Sequence, residues 1–168
     1  MFILGHLGIT LGIFFLASLA IPSLKRHLGY RFIALGALLP DLIDKAIGRV
    51  LFEDIFASGR IFAHTLVFVI VILVAGYIYF RQRGDSRIML VAGASFLHLL
   101  EDRMWTTPQT FFWPVFGWEF AQGYSYGSFL DYFMHIVKHV YSPEFSFGLI
   151  SEAIGLLVVL FLVYKHRK

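Results

Sequence analysis

The chain has 168 residues, 58% hydrophobic and only 15% charged, against about 25% charged in an ordinary soluble domain. So few charges cannot cover a soluble domain this short, and a mean hydropathy of +0.75 excludes disorder as well. A formal net charge of +3 without a basic, aromatic-interleaved patch excludes nucleic acid as a partner, and the absence of cysteine excludes disulfides and thiolate metal sites.

These properties predict a single integral-membrane domain over residues 1–168. The fold class is all-α: a polytopic helical membrane protein with about five transmembrane helices plus an outer interfacial helix. The first apolar segment runs from Phe2 to Leu24. Ala17 to Ala20 resembles a signal-peptidase site, but no basic n-region precedes it and His6 interrupts the apolar run, so the segment reads as retained. The second runs from Arg31 to Val50 and is interrupted by Pro40, Asp41, Asp44 and Lys45. Pro40 has no N–H for the carbonyl of Gly36, so a bend or break is expected there. The third, Ile61 to Phe80, has 20 residues, about 30 Å as a helix and enough to cross a bilayer. The fourth, Arg87 to Trp105, carries His98, Glu101 and Asp102. Between it and the fifth lies an aromatic stretch, Phe111 to Tyr126, of the kind found at membrane–water interfaces. A helix over Ser128 to Tyr141 places Asp131, His135 and His139 on one face, read as the polar stripe of an interfacial helix. The fifth segment, Phe147 to Tyr164, carries Glu152.

With five crossings, nine of the 14 basic residues fall on one side, after segments one, three and five. The positive-inside rule then puts the N-terminus outside and the C-terminus in the cytoplasm of a cell (inner or plasma) membrane. In that arrangement His6, Asp41, Asp44, Arg60, His64, His98, Glu101 and Asp102 all fall toward the outer side. Ionisable groups within spans are costly and mark function. Four segments agreeing predict one site.

The chemistry of those side chains suits a metal. His98 and Asp102, at i and i+4, supply one nitrogen and one oxygen from one helix side. Asp41 supplies another carboxylate, and His6 and His64 supply further imidazoles. The expected ligands are therefore His6, Asp41, His64, His98 and Asp102. A sulfur-free nitrogen and oxygen set fits zinc first, with manganese or iron as alternatives. Asp44 or Glu101 would be the general base. Arg60, with Lys45 and Arg103, would clamp an anionic head group.

The residues also resemble a family. Gly5-His6-Leu7, Leu39-Pro40-Asp41 followed by Asp44, Gly59-Arg60 with His64-Thr65, and His98 with Asp102 fall in the order of the YdjM-like, membrane-bound metal-dependent hydrolases. Thr107-Pro108 and Trp113-Pro114 follow as a Thr-Pro and a Trp-Pro do in that family. The family usually reads Pro-Asp-x-Asp-His, whereas this chain reads Pro-Asp-Leu-Ile-Asp-Lys, which displaces the second Asp by one residue. The resemblance implies a multi-pass protein with metal-assisted hydrolytic chemistry and supplies no substrate. The expected activity is hydrolysis of a lipid-like ester or phosphoester at the outer face, with membrane lipid as surroundings and an amphipathic lipid as substrate. The competing expectation is a non-enzymatic membrane protein with an ion or proton relay or a structural metal site.

Overall fold

A computed structural model describes residues 2–121, 123–140 and 147–167; of Phe129, His139 and Val140 it describes the backbone alone. Among these residues the chain is helical and without strands. Helix α1 covers Ile3–Ala20 and ends in a 3₁₀ turn, Pro22–His27. Helix α2 covers Tyr30–Lys45 and continues as a π-helical turn, Ala46–Leu51, into the short α3, Glu53–Phe56. Helices α4, Leu66–Arg83, and α5, Arg87–Glu101, follow, then a short α6, Pro108–Phe111. Helix α7 covers Phe129–Val140 and α8 covers Phe147–Arg167.

The core is a bundle in which α1 packs on α8 and α5 lies between α2 and α4. Small residues allow these approaches, as in membrane bundles. A Cβ on Gly8 would sit 2.1 Å from the carbonyl oxygen of Gly155, and one on Gly36 would sit 2.4 Å from that of Val91. Helices α1, α4 and α8 run from the His6 end to a basic end, and α2 and α5 return. At the basic end Tyr30 meets His166, Arg87 lies over Phe32 and Lys165 over Phe15.

The distribution of polarity is inverted relative to a water-soluble protein. Val71, Val74 and Ile78 of α4 and Leu157 and Phe161 of α8 are exposed, whereas His6, Thr10, Asp44, His64, Ser95 and His98 are buried. Apolar faces turned outward need lipid around them. Among the described residues α1, α4 and α8 are long and apolar enough to cross a membrane. The expected second and fourth crossings fall to α2 and α5. At 16 and 15 residues these are about 24 and 22 Å long, short of the ~30 Å hydrocarbon core.

Two expectations need correction. The third segment does not start as a helix at Ile61. Residues 57–65 form a loop, and α4 begins only after Thr65, whose Oγ1 accepts the Phe68 N–H at 3.1 Å. Arg60 and His64 thus stand on a loop. The reason is Asp44, whose carboxylate accepts the N–H groups of Ile61, Ala63 and His64 at 2.8, 2.9 and 3.0 Å and holds this backbone out of helix. Nor does Pro40 break α2, which runs on to Lys45. The carbonyl freed at Gly36 accepts Ser95 Oγ–H at 3.0 Å, so a neighbouring helix supplies the missing donor.

Candidate metal centre

The site is built where α1, α2, α5 and the 57–65 loop meet at the end opposite the basic cluster. Asp41 comes from α2, one residue beyond Pro40; His98 comes from the last turn of α5, and Asp102 caps that helix. The loop brings His64 and Arg60. Helix α1 brings His6. Its first N–H groups lack a local cap, and Glu152 of α8 accepts those of Phe2, Leu4 and Gly5 at 3.1, 3.1 and 2.8 Å. Glu152 thereby fixes the turn that carries His6.

Each imidazole has its Nδ1–H committed. His98 Nδ1–H donates to the Ala37 carbonyl at 2.7 Å, which can only accept. His64 Nδ1–H donates to Asp44 Oδ2 at 2.7 Å, and His6 Nδ1–H to Glu101 Oε2 at 2.8 Å. The Nε2 atoms of His64 and His98 can therefore act as lone-pair donors, whereas that of His6 faces a carboxylate oxygen of Asp102 at 3.2 Å. Those of His64 and His98 face each other at 3.3 Å. Asp41 Oδ1 lies 3.7 Å from the first and 3.9 Å from the second, and Asp102 Oδ2 lies 3.8 Å from His64 Nε2. One donor atom from each of Asp41, His64, His98 and Asp102 lies within 4.8 Å of all the others. Tetrahedral coordination with bonds of about 2.0–2.1 Å puts neighbouring ligand atoms about 3.3–3.4 Å apart. The four residues fit a divalent cation after a contraction of a few tenths of an ångström for the closer pairs and of up to about 1.4 Å for the widest, at most 4.8 Å apart. They bring two nitrogens, two oxygens and no sulfur, a set that leaves zinc, manganese and iron all open.

His6, expected as a fifth ligand, stands beside this group. Its ring stacks on His98 with centroids 4.0 Å apart, and its buried Nε2 lies 3.2 Å from Asp102 Oδ1. Glu101 is engaged by His6 and by Thr10 Oγ1–H at 2.9 Å. Asp44 is wholly buried and accepts four hydrogen bonds, which fills its acceptor capacity; the structure gives it the task of orienting His64 and shaping the loop. Arg60 Nη2 lies 2.7 Å from Asp102 Oδ2, and Lys45 Nζ donates to Asp41 Oδ2 at 2.6 Å. Arg103 turns elsewhere, its guanidinium 5.0 Å from the Phe147 ring centroid.

Asp41 and Asp102 form part of the wall of a cavity of about 430 Å3, completed by Lys45, Arg60, Tyr132 and His135 among others. Helix α7 is thus more than a surface stripe: His135 faces the cavity and contacts the Tyr126 hydroxyl at 3.4 Å, while Asp131 is exposed and bonded to Ser128. The His139 side chain lies outside the described residues. Burial raises the Tyr132 phenol above its ordinary pKa. Two residues had no legible role in the sequence. Glu152 acts across 147 residues or more. Arg49 reaches the cavity only because a π-helical turn follows α2.

No curated protein and no solved structure is matched by the chain. The family model of the YdjM inner membrane protein matches residues 1–168, so the chain belongs to the YdjM inner membrane protein family.

Proposed function

We propose that the protein is a membrane-embedded metal-dependent hydrolase acting on an amphipathic ester or phosphoester at the outer face. The observation that carries this reading is the facing Nε2 pair of His64 and His98 beside Asp41 and Asp102 in a cavity wall. Two lone pairs 3.3 Å apart repel unless a cation or a proton lies between them, and two neighbouring carboxylates favour a cation. The buried Nε2 of His6, 3.2 Å from Asp102 Oδ1, would join the same set through Asp102.

A divalent ion bound there would lower the pKa of a water molecule and polarise the scissile group. The chain does the rest. Ala37 and Asp44 hold two imidazoles in the binding tautomer. Glu101 holds His6 and, as the carboxylate next to Asp102, is the remaining candidate for proton acceptor. Arg60, half-exposed at the cavity wall, is placed to meet an anionic group. A cavity reached by two ligand carboxylates favours a catalytic site over a closed structural one.

In this reading the short helices α2 and α5 also cross, giving five crossings with the N-terminus outside. The basic ends of α1, α4 and α8 then face the cytoplasm. The test is elemental analysis of the protein purified in detergent, paired with hydrolysis of p-nitrophenyl esters and phosphoesters. Retained divalent metal is expected, with metal and activity lost together in His98→Ala and Asp102→Asn. Full activity in protein verified to be metal-free would overturn the proposal.

A further inference from the structure

We infer that Arg49 is the binding residue for a phosphoryl group, and that the substrate class is a phosphate ester. This deepens the hydrolase reading and rests on it for the word substrate; the anion site itself stands on separate observations.

Lys45, Arg49 and Arg60 line the cavity. Two of these cations are matched: Lys45 bonds Asp41 at 2.6 Å, and Arg60 lies 2.7 Å from Asp102. Arg49 is different. It is only 8% exposed, yet its nearest carboxylate oxygen, Glu53 Oε1, is 4.0 Å away. That oxygen already accepts the Tyr126 N–H at 3.0 Å and Ser125 Oγ–H at 3.4 Å. Arg49 Nη1 donates to the Tyr124 carbonyl at 2.7 Å, and its Nε has no acceptor among the described residues. A buried guanidinium with an idle N–H is costly and calls for a partner.

The surroundings hold this guanidinium in place. Its Cζ lies 5.3 Å from the Tyr126 ring centroid and 4.9 Å from that of Tyr132, an arrangement that fixes the plane of the fork and leaves its edges for hydrogen bonding. Gly123 leaves room for the Ala57 carbonyl and for this side chain, since a Cβ there would sit 2.4 Å from the Ala57 oxygen and 2.9 Å from Arg49 Nη2. The π-helical turn Ala46–Leu51 delivers the side chain, and such turns recur at functional sites. A planar fork held by aromatic rings suits a group with several coplanar-facing oxygens. Phosphate is favoured over carboxylate by its oxygens. It can give two to the fork and keep others for a divalent ion, whereas a carboxylate has only two in all, and Glu53, 4.0 Å away, already offsets part of the Arg49 charge.

The probe is inorganic phosphate, with acetate as the carboxylate arm, titrated calorimetrically into the full chain in detergent with and without zinc. The variants are Arg49→Gln, Arg49→Lys and Gly123→Ala. Wild-type protein is expected to bind phosphate more tightly than acetate. Arg49→Gln is expected to weaken phosphate tenfold or more with zinc content unchanged. Arg49→Lys keeps the charge and a donor for Tyr124 and serves if the Gln variant misfolds; it is expected to recover only part of the affinity. Gly123→Ala puts a Cβ 2.4 Å from the Ala57 carbonyl oxygen and 2.9 Å from Arg49 Nη2, so it shifts the loop and the guanidinium together, and it is expected to weaken phosphate severalfold. Arg49-dependent phosphate binding in a protein that takes up no zinc, manganese or iron would support the anion site while removing the hydrolase reading. Wild-type phosphate affinity in Arg49→Lys and Gly123→Ala, or acetate binding as tightly as phosphate, would overturn it.

Discussion

Asp44→Asn tests how the loop and the centre depend on one buried carboxylate. Asp44 accepts three backbone N–H groups and His64 Nδ1–H, at 2.7 to 3.0 Å. Charge-assisted bonds of this kind contribute about 1.5–3 kcal/mol each. The amide that replaces the carboxylate fits best with its oxygen at the Oδ2 position, where three of the four donors converge. Its NH2 then meets the Ala63 N–H, so one bond is lost to a donor–donor contact and the other three lose their charge. Relief of a buried charge offsets part of this, leaving a cost of about 2–4 kcal/mol. Because Asp44 also orients the His64 ring and fixes its tautomer, zinc affinity is expected to fall about 10- to 100-fold. The assay is zinc titration against a fluorescent chelator in detergent, below the unfolding transition, with thermal unfolding alongside. Gly76→Ala is the control: a Cβ there would sit 2.8 Å from the Met89 backbone nitrogen, at the basic end of the bundle. It should lower the transition temperature and leave zinc affinity unchanged. Wild-type zinc affinity in Asp44→Asn would refute the reasoning, whatever its stability.

Ser95→Ala should cost about 1–2 kcal/mol, because it leaves the Gly36 carbonyl unpaired beside Pro40. In a Pro40→Ala background the helix supplies its own donor and the same change should cost little, which a double-mutant cycle of unfolding free energies would read. Glu152→Gln should release the first turn of α1. Amide exchange at residues 2–5 should speed up about tenfold or more while exchange in α4 stays unchanged. The chain has no native cysteine, so single cysteines at the exposed Val115 and at Lys165 should label from opposite sides of the membrane with an impermeant maleimide; labelling from the same side would remove the proposed topology.

Most of the centre was readable because spacing and helix period are local. His98 and Asp102 share a helix side by their four-residue separation, and Asp41 follows a proline that any reading would flag. The loop at 57–65 was not readable, because Ile61 to Phe80 is apolar throughout apart from His64 and Thr65. What stops the helix at Leu66 is a carboxylate 17 to 20 residues earlier. Pro40 misled for a related reason: the donor that repairs the helix lies 59 residues away on α5. Glu152 stood out in the fifth segment without its task, and Arg49 did not stand out, because their partners are backbone groups from distant segments, and no pattern of residue types announces such a bond.

The two ligand carboxylates are compensated in different ways, and this predicts opposite behaviour for their cations. Asp41 gives Oδ2 to Lys45 and turns Oδ1 to the imidazoles. An ion can therefore enter without breaking the Lys45 bond. Asp102 turns the same Oδ2 both to Arg60 at 2.7 Å and to His64 at 3.8 Å. Here the guanidinium and the ion compete for one oxygen. Arg60 is 48% exposed, so solvent weakens its hold, and the competition is worth only about 1 kcal/mol. Arg60→Gln should accordingly bind zinc about fivefold more tightly, with the gain shrinking as salt rises. Lys45→Gln should show a smaller gain, arising only from reduced repulsion. Zinc titrations of both variants at two salt concentrations decide the matter. Tenfold weaker binding in Arg60→Gln would mean that Arg60 orders Asp102 for the ion rather than competing with it.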